Sequence, residues 1–177
     1  VLEDGRWGVG GPQSKRLCET FAAFQDAEYA VACTSGTTAL MLCLEALGVG
    51  YGDEVIVPAY TFIATAGSVI SMGAVPVFAD IDPNTFCLDV ADAEAKITPR
   101  TKAIIPVHIG GMPCDMQTLK IMADKHGLGI VEDCAQAHGA EYQGKRVGAI
   151  GDTGAFSFQS SKNVAAGAGG IMVPNAR

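Results

Sequence analysis

The chain has 177 residues, of which 49% are hydrophobic and 22 are glycine, a composition that fits one globular α/β domain, or one domain and part of another, and excludes a disordered or fibrous chain. Its formal net charge of −7, from 12 basic and 19 acidic residues with no basic run, argues against nucleic acid as a partner. The six cysteines show no C-x-x-C pair and no metal-ligand spacing, so reduced and mostly buried thiols in a cytoplasmic protein are expected, with no metal and no disulfide framework.

No apolar stretch reaches the length of a membrane span. The longest candidate, 59–77, is interrupted by Thr, Ser, Gly and Pro, and no membrane partner is expected. The opening Val1-Leu2-Glu3-Asp4 is acidic and lacks a signal-like apolar run. There is no initiator Met, and the chain stops at Asn175-Ala176-Arg177 directly after an apolar run. It is expected to be a piece of a longer protein.

In chain order, residues 1–12 read as an irregular lead-in rich in glycine. Ser14 is placed to cap a helix whose stripe is Leu17, Phe21 and Phe24. A short strand over 29–33 breaks into Thr34-Ser35-Gly36-Thr37-Thr38, and a helix follows over 39–47. Strand 54–57 leads through Pro58-Ala59-Tyr60-Thr61-Phe62 into a helix reaching Ile70. Strand 75–79 precedes a short helix over 91–97, and strand 103–107 precedes a helix over 116–125 that Gly127 stops. Strands 128–131, 153–158 and 170–173 complete the pattern. Strands alternating with helices predict a doubly wound, parallel sheet, with no internal repeat and no dividing linker.

Four places carry candidate chemistry. A strand, then Ser-Gly-Thr-Thr, then a helix start brings free N–H groups, the helix dipole and hydroxyls to one point, an anion site or an ordinary N-cap. Phe62 can lie over a flat ring or serve as plain core. Glu132 and Asp133 are adjacent carboxylates at a strand end, where one can hold a protonated ring nitrogen or form a buried ion pair. Lys162, five residues after Ser157 and among small residues, reads as a Schiff-base lysine or as a surface charge. Desolvation would favour the neutral, nucleophilic amine.

Together, phosphate donors (Gly36, Thr37, Thr38), a stacking residue (Phe62), a carboxylate (Asp133), a phosphate serine (Ser157) and an imine lysine (Lys162) are the parts that hold pyridoxal 5′-phosphate. The ordered segments 35–40, 52–58, 60–62, 73–78, 98–102, 132–140 and 156–158 closely resemble the PLP-dependent sugar and cyclitol aminotransferases of the DegT/DnrJ/EryC1/StrS family, over essentially all 177 residues. The resemblance implies a fold-type-I large domain, a mostly parallel seven-stranded sheet flanked by helices in three layers, with the C-terminal small domain absent. It implies catalytic roles for Lys162 and Asp133, with Lys162 moving the proton between the substrate carbon and the cofactor. Gly36, Thr37, Thr38 and Ser157 would hold phosphate, Phe62 would stack on the ring, Asp133 would pair with the ring nitrogen, and Gln136 would lie near the ring's phenolic oxygen. His108 and His138 are expected to be structural.

The resemblance further implies amino transfer from glutamate or glutamine to a keto group on a nucleotide-linked sugar, by a cytoplasmic homodimer with a shared active site. A cyclitol aminotransferase or an aminohydroxybenzoate-forming enzyme is the alternative within the family, because 156–162 is similar to that branch. A non-catalytic protein binding PLP or a sugar nucleotide is the alternative outside it. One departure stands out: relatives usually read Gly-Glu-Gly-Gly where this chain has Gly167-Ala168-Gly169-Gly170. An NAD-binding Rossmann module is excluded, because no G-x-G-x-x-G follows the first strand.

Overall fold

A computed structural model describes residue 5 and residues 10–175; most of the expected irregular lead-in, and residues 176–177, lie outside the described residues. Helix α1 spans Pro12–Phe24. It starts three residues earlier than a Ser14 cap requires: Gly11 is the N-cap, no side chain caps the helix, and Pro12 opens the first turn. Proline suits that place because its fixed φ is already helical and its missing N–H would have had no partner. Strand β1 (Val31–Cys33) leads into α2 (Gly36–Ala46), β2 (Glu54–Pro58), α3 (Ala64–Ser71), β3 (Val75–Ala79) and α4 (Val90–Ala95). Then come β4 (Thr101–Ile104), α5 (Met116–His126), β5 (Gly129–Asp133), a hairpin of β6 (Glu141–Tyr142) and β7 (Lys145–Arg146), β8 (Thr153–Ser157) and β9 (Gly170–Pro174).

Seven strands form one sheet in the order β1-β9-β8-β5-β4-β2-β3. The five from β8 to β3 are mutually parallel, whereas β9 pairs antiparallel with both β1 and β8. The chain steps one way from β2 to β3, then back across the sheet through β4 to β5. Right-handed crossovers therefore put α3 on one face and α4 and α5 on the other.

Strand periodicity then sorts the core into layers. Val55, Val57, Ala103, Ile105, Val131, Ala155 and Met172 pack with Leu40, Leu44 and Val69 of α2 and α3. The intervening Ile56, Ile104 and Ile130 pack with Ala93, Leu119 and Met122 of α4 and α5. Phe156, Ile171 and Val173 join Phe21 of α1 on that second face. The result is helix, sheet, helix, as the sequence predicts.

The small hairpin is an addition to the expected elements. Gln143 and Gly144 both take positive φ, 51° and 77°, the backbone of a tight two-residue turn whose twist matches its flanking strands. With Gln where Asn usually stands, the signal is weak in the sequence. Among the described residues no helix is long and apolar enough to cross a membrane, and the six cysteines are free, four of them buried.

Candidate active site

A cavity of about 360 Å³ opens at the carboxyl ends of β5 and β8, between the starts of α2 and α3. Its wall includes Gly36, Thr37, Phe62, Asp133, Gln136, Ser157 and Lys162, residues that span more than 120 positions of sequence.

The α2 end has the geometry of an anion site. Ser35 is the N-cap, its hydroxyl accepting the Thr38 N–H at 3.1 Å. The N–H groups of Gly36 and Thr37 have no preceding carbonyl within the helix to bond, and the dipole adds positive character there. Gly36 presses against the end of β8: a Cβ at this position would lie 2.6 Å from the Ser157 Cβ, so only glycine lets the helix start and Ser157 share one wall. Gly170 does the same from the far side, since a side chain there would run into the Ser35 backbone. Thr38 is placed differently from its neighbours. Its hydroxyl bonds those of Thr34 and Ser35, each at 3.0 Å, and it is not part of the cavity wall.

The adjacent carboxylates at the end of β5 separate by strand alternation. Glu132 points to the α5 face and is fully buried. It accepts the N–H groups of Gly148, Ile150 and Gly151 at 2.6–2.8 Å and faces His108 Nε2 at 3.0 Å. His108 Nδ1 accepts the Cys114 N–H at 3.1 Å, so Nε2 carries the ring proton and donates it to Glu132. Both residues are fully buried, and neither lines the cavity.

Asp133 points the other way, into the cavity, and is 5% exposed. Its oxygens accept the Ala135 N–H at 3.1 Å and the Thr65 hydroxyl at 2.9 Å. Both donors are neutral. Burial pushes its carboxyl above the usual carboxylate range, and those two bonds act against the rise. A desolvated carboxylate that forms no ion pair among the described residues and faces an open cavity can receive a positive group.

Phe62 precedes α3 and is 66% exposed, so it is wall rather than core; the Lys162 Nζ lies 6.0 Å from its ring centroid. Gln136 Oε1 accepts the Gly110 N–H at 2.8 Å, which turns its amide N–H groups into the available donors. Lys162 sits in the loop after β8, partly exposed. That loop is tied by the Lys162 N–H to the Gln159 carbonyl at 2.9 Å and by Gln159 Oε1 to the Ser161 N–H at 2.9 Å. Behind the cavity, the His138 ring packs against Phe21, Phe156 and Phe158 with centroids 5.5–6.4 Å away. Among the described residues neither of its nitrogens meets a partner at full hydrogen-bond geometry, and burial pulls its pKa below the ordinary value while the nearby Ser157 backbone acts against that.

Residues 1–176 match the profile of the DegT/DnrJ/EryC1/StrS aminotransferase family. The chain belongs to this family. It is 52% identical over 174 residues to UDP-N-acetyl-3-dehydro-alpha-D-glucosamine 3-aminotransferase of Acidithiobacillus ferrooxidans, covering 98% of this chain and 47% of that one. It is 48% identical over 181 residues to L-glutamine:2-deoxy-scyllo-inosose aminotransferase of Streptoalloteichus tenebrarius, covering 99% and 43%. Among solved structures, DesV of S. venezuelae superposes with a TM-score of 0.95 at 47% identity, covering 98% and 47%. The PLP-form of Spr1654 from Streptococcus pneumoniae does so with a TM-score of 0.94 at 35% identity, covering 99% and 49%. The chain thus spans less than half the length of these relatives, and its fold is that of the family's fold-type-I aminotransferases.

The segments singled out in the sequence of this family member meet at the cavity, and four hydroxyl residues that line it were not among the expected ones: Ser35, Thr61, Thr65 and Ser161. Ser35 was legible as a capping residue. Thr61 and Thr65 stand four apart, on neighbouring turns at the entry to α3, a spacing that a helix wheel would have paired. Nothing in the sequence says that Thr65 meets Asp133, 68 positions away.

Proposed function

We propose that the chain is the large, cofactor-binding domain of a PLP-dependent aminotransferase that moves an amino group from glutamate or glutamine to a keto group on a nucleotide-linked sugar. The observation that carries this reading is Asp133, buried with only neutral donors and sharing one cavity with the Lys162 amine, the Phe62 face and the α2 anion end. The residues fit the cofactor part by part. The Gly36 and Thr37 N–H groups and the Ser157 hydroxyl suit its phosphate, the Phe62 ring its flat face, the Gln136 amide its phenolic oxygen, and Asp133 its protonated nitrogen.

When bound, pyridoxal phosphate supplies a carbonyl that takes up amines and a ring that accepts electrons. The chain supplies the rest. Asp133 holds the proton on the ring nitrogen, which a neutral residue would not. Phe62 and the opposite wall orient the ring and exclude water from one side. Lys162 takes a proton from the substrate carbon and returns it, a role for which an amine on a tied loop suits better than a freely moving one. Thr38 acts at one remove, through the Ser35 cap. The exposed Tyr60, Phe62, Ile63 and Phe86 are consistent with a homodimer whose partner covers the cavity mouth, and the small domain would lie outside this chain. The reading implies a cytoplasmic enzyme.

A free cyclitol is the second acceptor class, favoured by the identity to the scyllo-inosose aminotransferase. The test is an absorbance spectrum with added pyridoxal phosphate, before and after borohydride, against Lys162→Ala. A band above roughly 400 nm that borohydride fixes in the native protein and that the variant lacks supports the reading; a native protein with no band overturns it. Offering a keto sugar nucleotide and an inosose with glutamine then separates the acceptors by which is aminated.

A further inference from the structure

We propose that Thr65 is a positioning residue: with Thr61 it forms a one-way hydroxyl relay that holds the Asp133 carboxylate ionised and aimed at the ring nitrogen. The proposal rests on the cofactor reading above and assigns a task to two side chains outside it.

The direction of the relay follows from proton counting. Asp133 Oδ2 lies 2.9 Å from the Thr65 hydroxyl, and a carboxylate only accepts, so the single Thr65 proton is committed to it. The Thr61 hydroxyl lies 2.9 Å from that of Thr65. Thr65 has no proton left for this bond, and Thr61 must donate. The chain therefore reads Thr61 to Thr65 to Asp133, each bond polarising the next toward the carboxylate.

Thr65 is well placed to act as a fixed strut. Its residue is fully buried, its N–H bonds the Phe62 carbonyl at 3.0 Å, and its own carbonyl accepts the Ser68 hydroxyl at 2.8 Å. A β-branched side chain on such a backbone has few rotamers to choose from. The same first turn of α3 thus anchors Phe62, on the wall, and Asp133, on the floor, so that the distance between ring face and ring nitrogen partner is set by one element. Without the relay, Asp133 keeps one hydrogen bond among the described residues, from the Ala135 N–H, and the more distant charge of Lys162 against its burial.

The test compares binding of pyridoxal phosphate with binding of its 1-deaza analogue, which has C–H in place of the ring nitrogen and cannot pair with Asp133. Thr65→Val keeps the shape and removes the hydroxyl, and Thr65→Ser keeps the hydroxyl. A lost hydrogen bond to a charged group predicts that Thr65→Val weakens pyridoxal phosphate by on the order of tenfold, leaves the deaza analogue unchanged, and is rescued by Thr65→Ser. Thr61→Val repeats the comparison with a smaller loss, and serves if Thr65→Val does not fold. Equal losses for both ligands, or no loss for either, overturn the proposal while leaving the cofactor reading intact. A native protein that binds neither ligand overturns both.

Discussion

Gly36→Ala tests whether the contact between the α2 start and the end of β8 shapes the anion end. The backbone here does not need positive φ, so the substitution brings no conformational strain, only volume. The new Cβ would stand 2.6 Å from the Ser157 Cβ and 3.1 Å from its hydroxyl, against an optimum of about 3.5–4.0 Å between carbons. The helix start or Ser157 must therefore retreat by roughly 1 Å. Overpacking of this kind costs about 1–3 kcal/mol, and alanine's better helix propensity returns up to about 1 kcal/mol, so the fold survives. Binding is hit harder. An anion held at about 2.8 Å by the Gly36 N–H and the Ser157 hydroxyl loses at least one of these bonds when they move apart by that much. A hydrogen bond to a charged group is worth about 1.5–3 kcal/mol, so affinity for pyridoxal phosphate falls by roughly 10- to 100-fold. Titration of the cofactor followed by absorbance reads the affinity, and urea unfolding reads the stability. Adding Ser157→Gly removes the side-chain clash and leaves a 3.3 Å approach to the Cα of residue 157, so the double variant recovers most of the stability without recovering affinity. A Gly36→Ala protein that binds and unfolds like the native one would refute the reasoning.

Other outcomes follow from the two carboxylates. Burial raises the Asp133 pKa, so the folded protein holds that proton more tightly than the unfolded chain, and native stability falls as pH rises from the ordinary carboxylate value through the raised one. Asp133→Asn removes this slope: the stability of the ligand-free variant relative to native grows over that window and is constant above it, as urea midpoints from pH 4 to 8 will show. A difference that does not vary with pH refutes the assignment. Glu132→Gln turns an NH₂ group toward two of the donors that Glu132 now accepts; at about 1–3 kcal/mol for each unsatisfied group, a loss of roughly 2–6 kcal/mol is expected in urea unfolding. Where that variant is folded its cofactor band should persist, because Glu132 faces away from the cavity.

How much of this was legible beforehand depends on the range of the physics involved. Local signals gave α2 and α5, whose caps and stops are short-range, and β3, whose bounds are those expected. The α1 start was misplaced because a serine in the first turn looks like a cap, while the Gly11 cap three residues earlier is settled by the fixed φ of Pro12. The Glu132-Asp133 pair showed that a strand end carried charge. Strand alternation alone says that the two face opposite ways, but not which face holds the cavity.

The sequence by itself determined the alternation of strands and helices, the family, and the segments that meet at the strand ends, because periodicity, caps and ordered motifs are written in neighbouring residues. Only the tertiary structure decided that Asp133 meets the Thr65 hydroxyl while Glu132 meets His108 and three backbone N–H groups, that Thr38 turns into the cap, and that Gly36 must be bare for Ser157 to approach. Each of these depends on atoms brought together from distant positions by the crossovers and the order of the strands. A contact of that kind leaves no trace in local spacing.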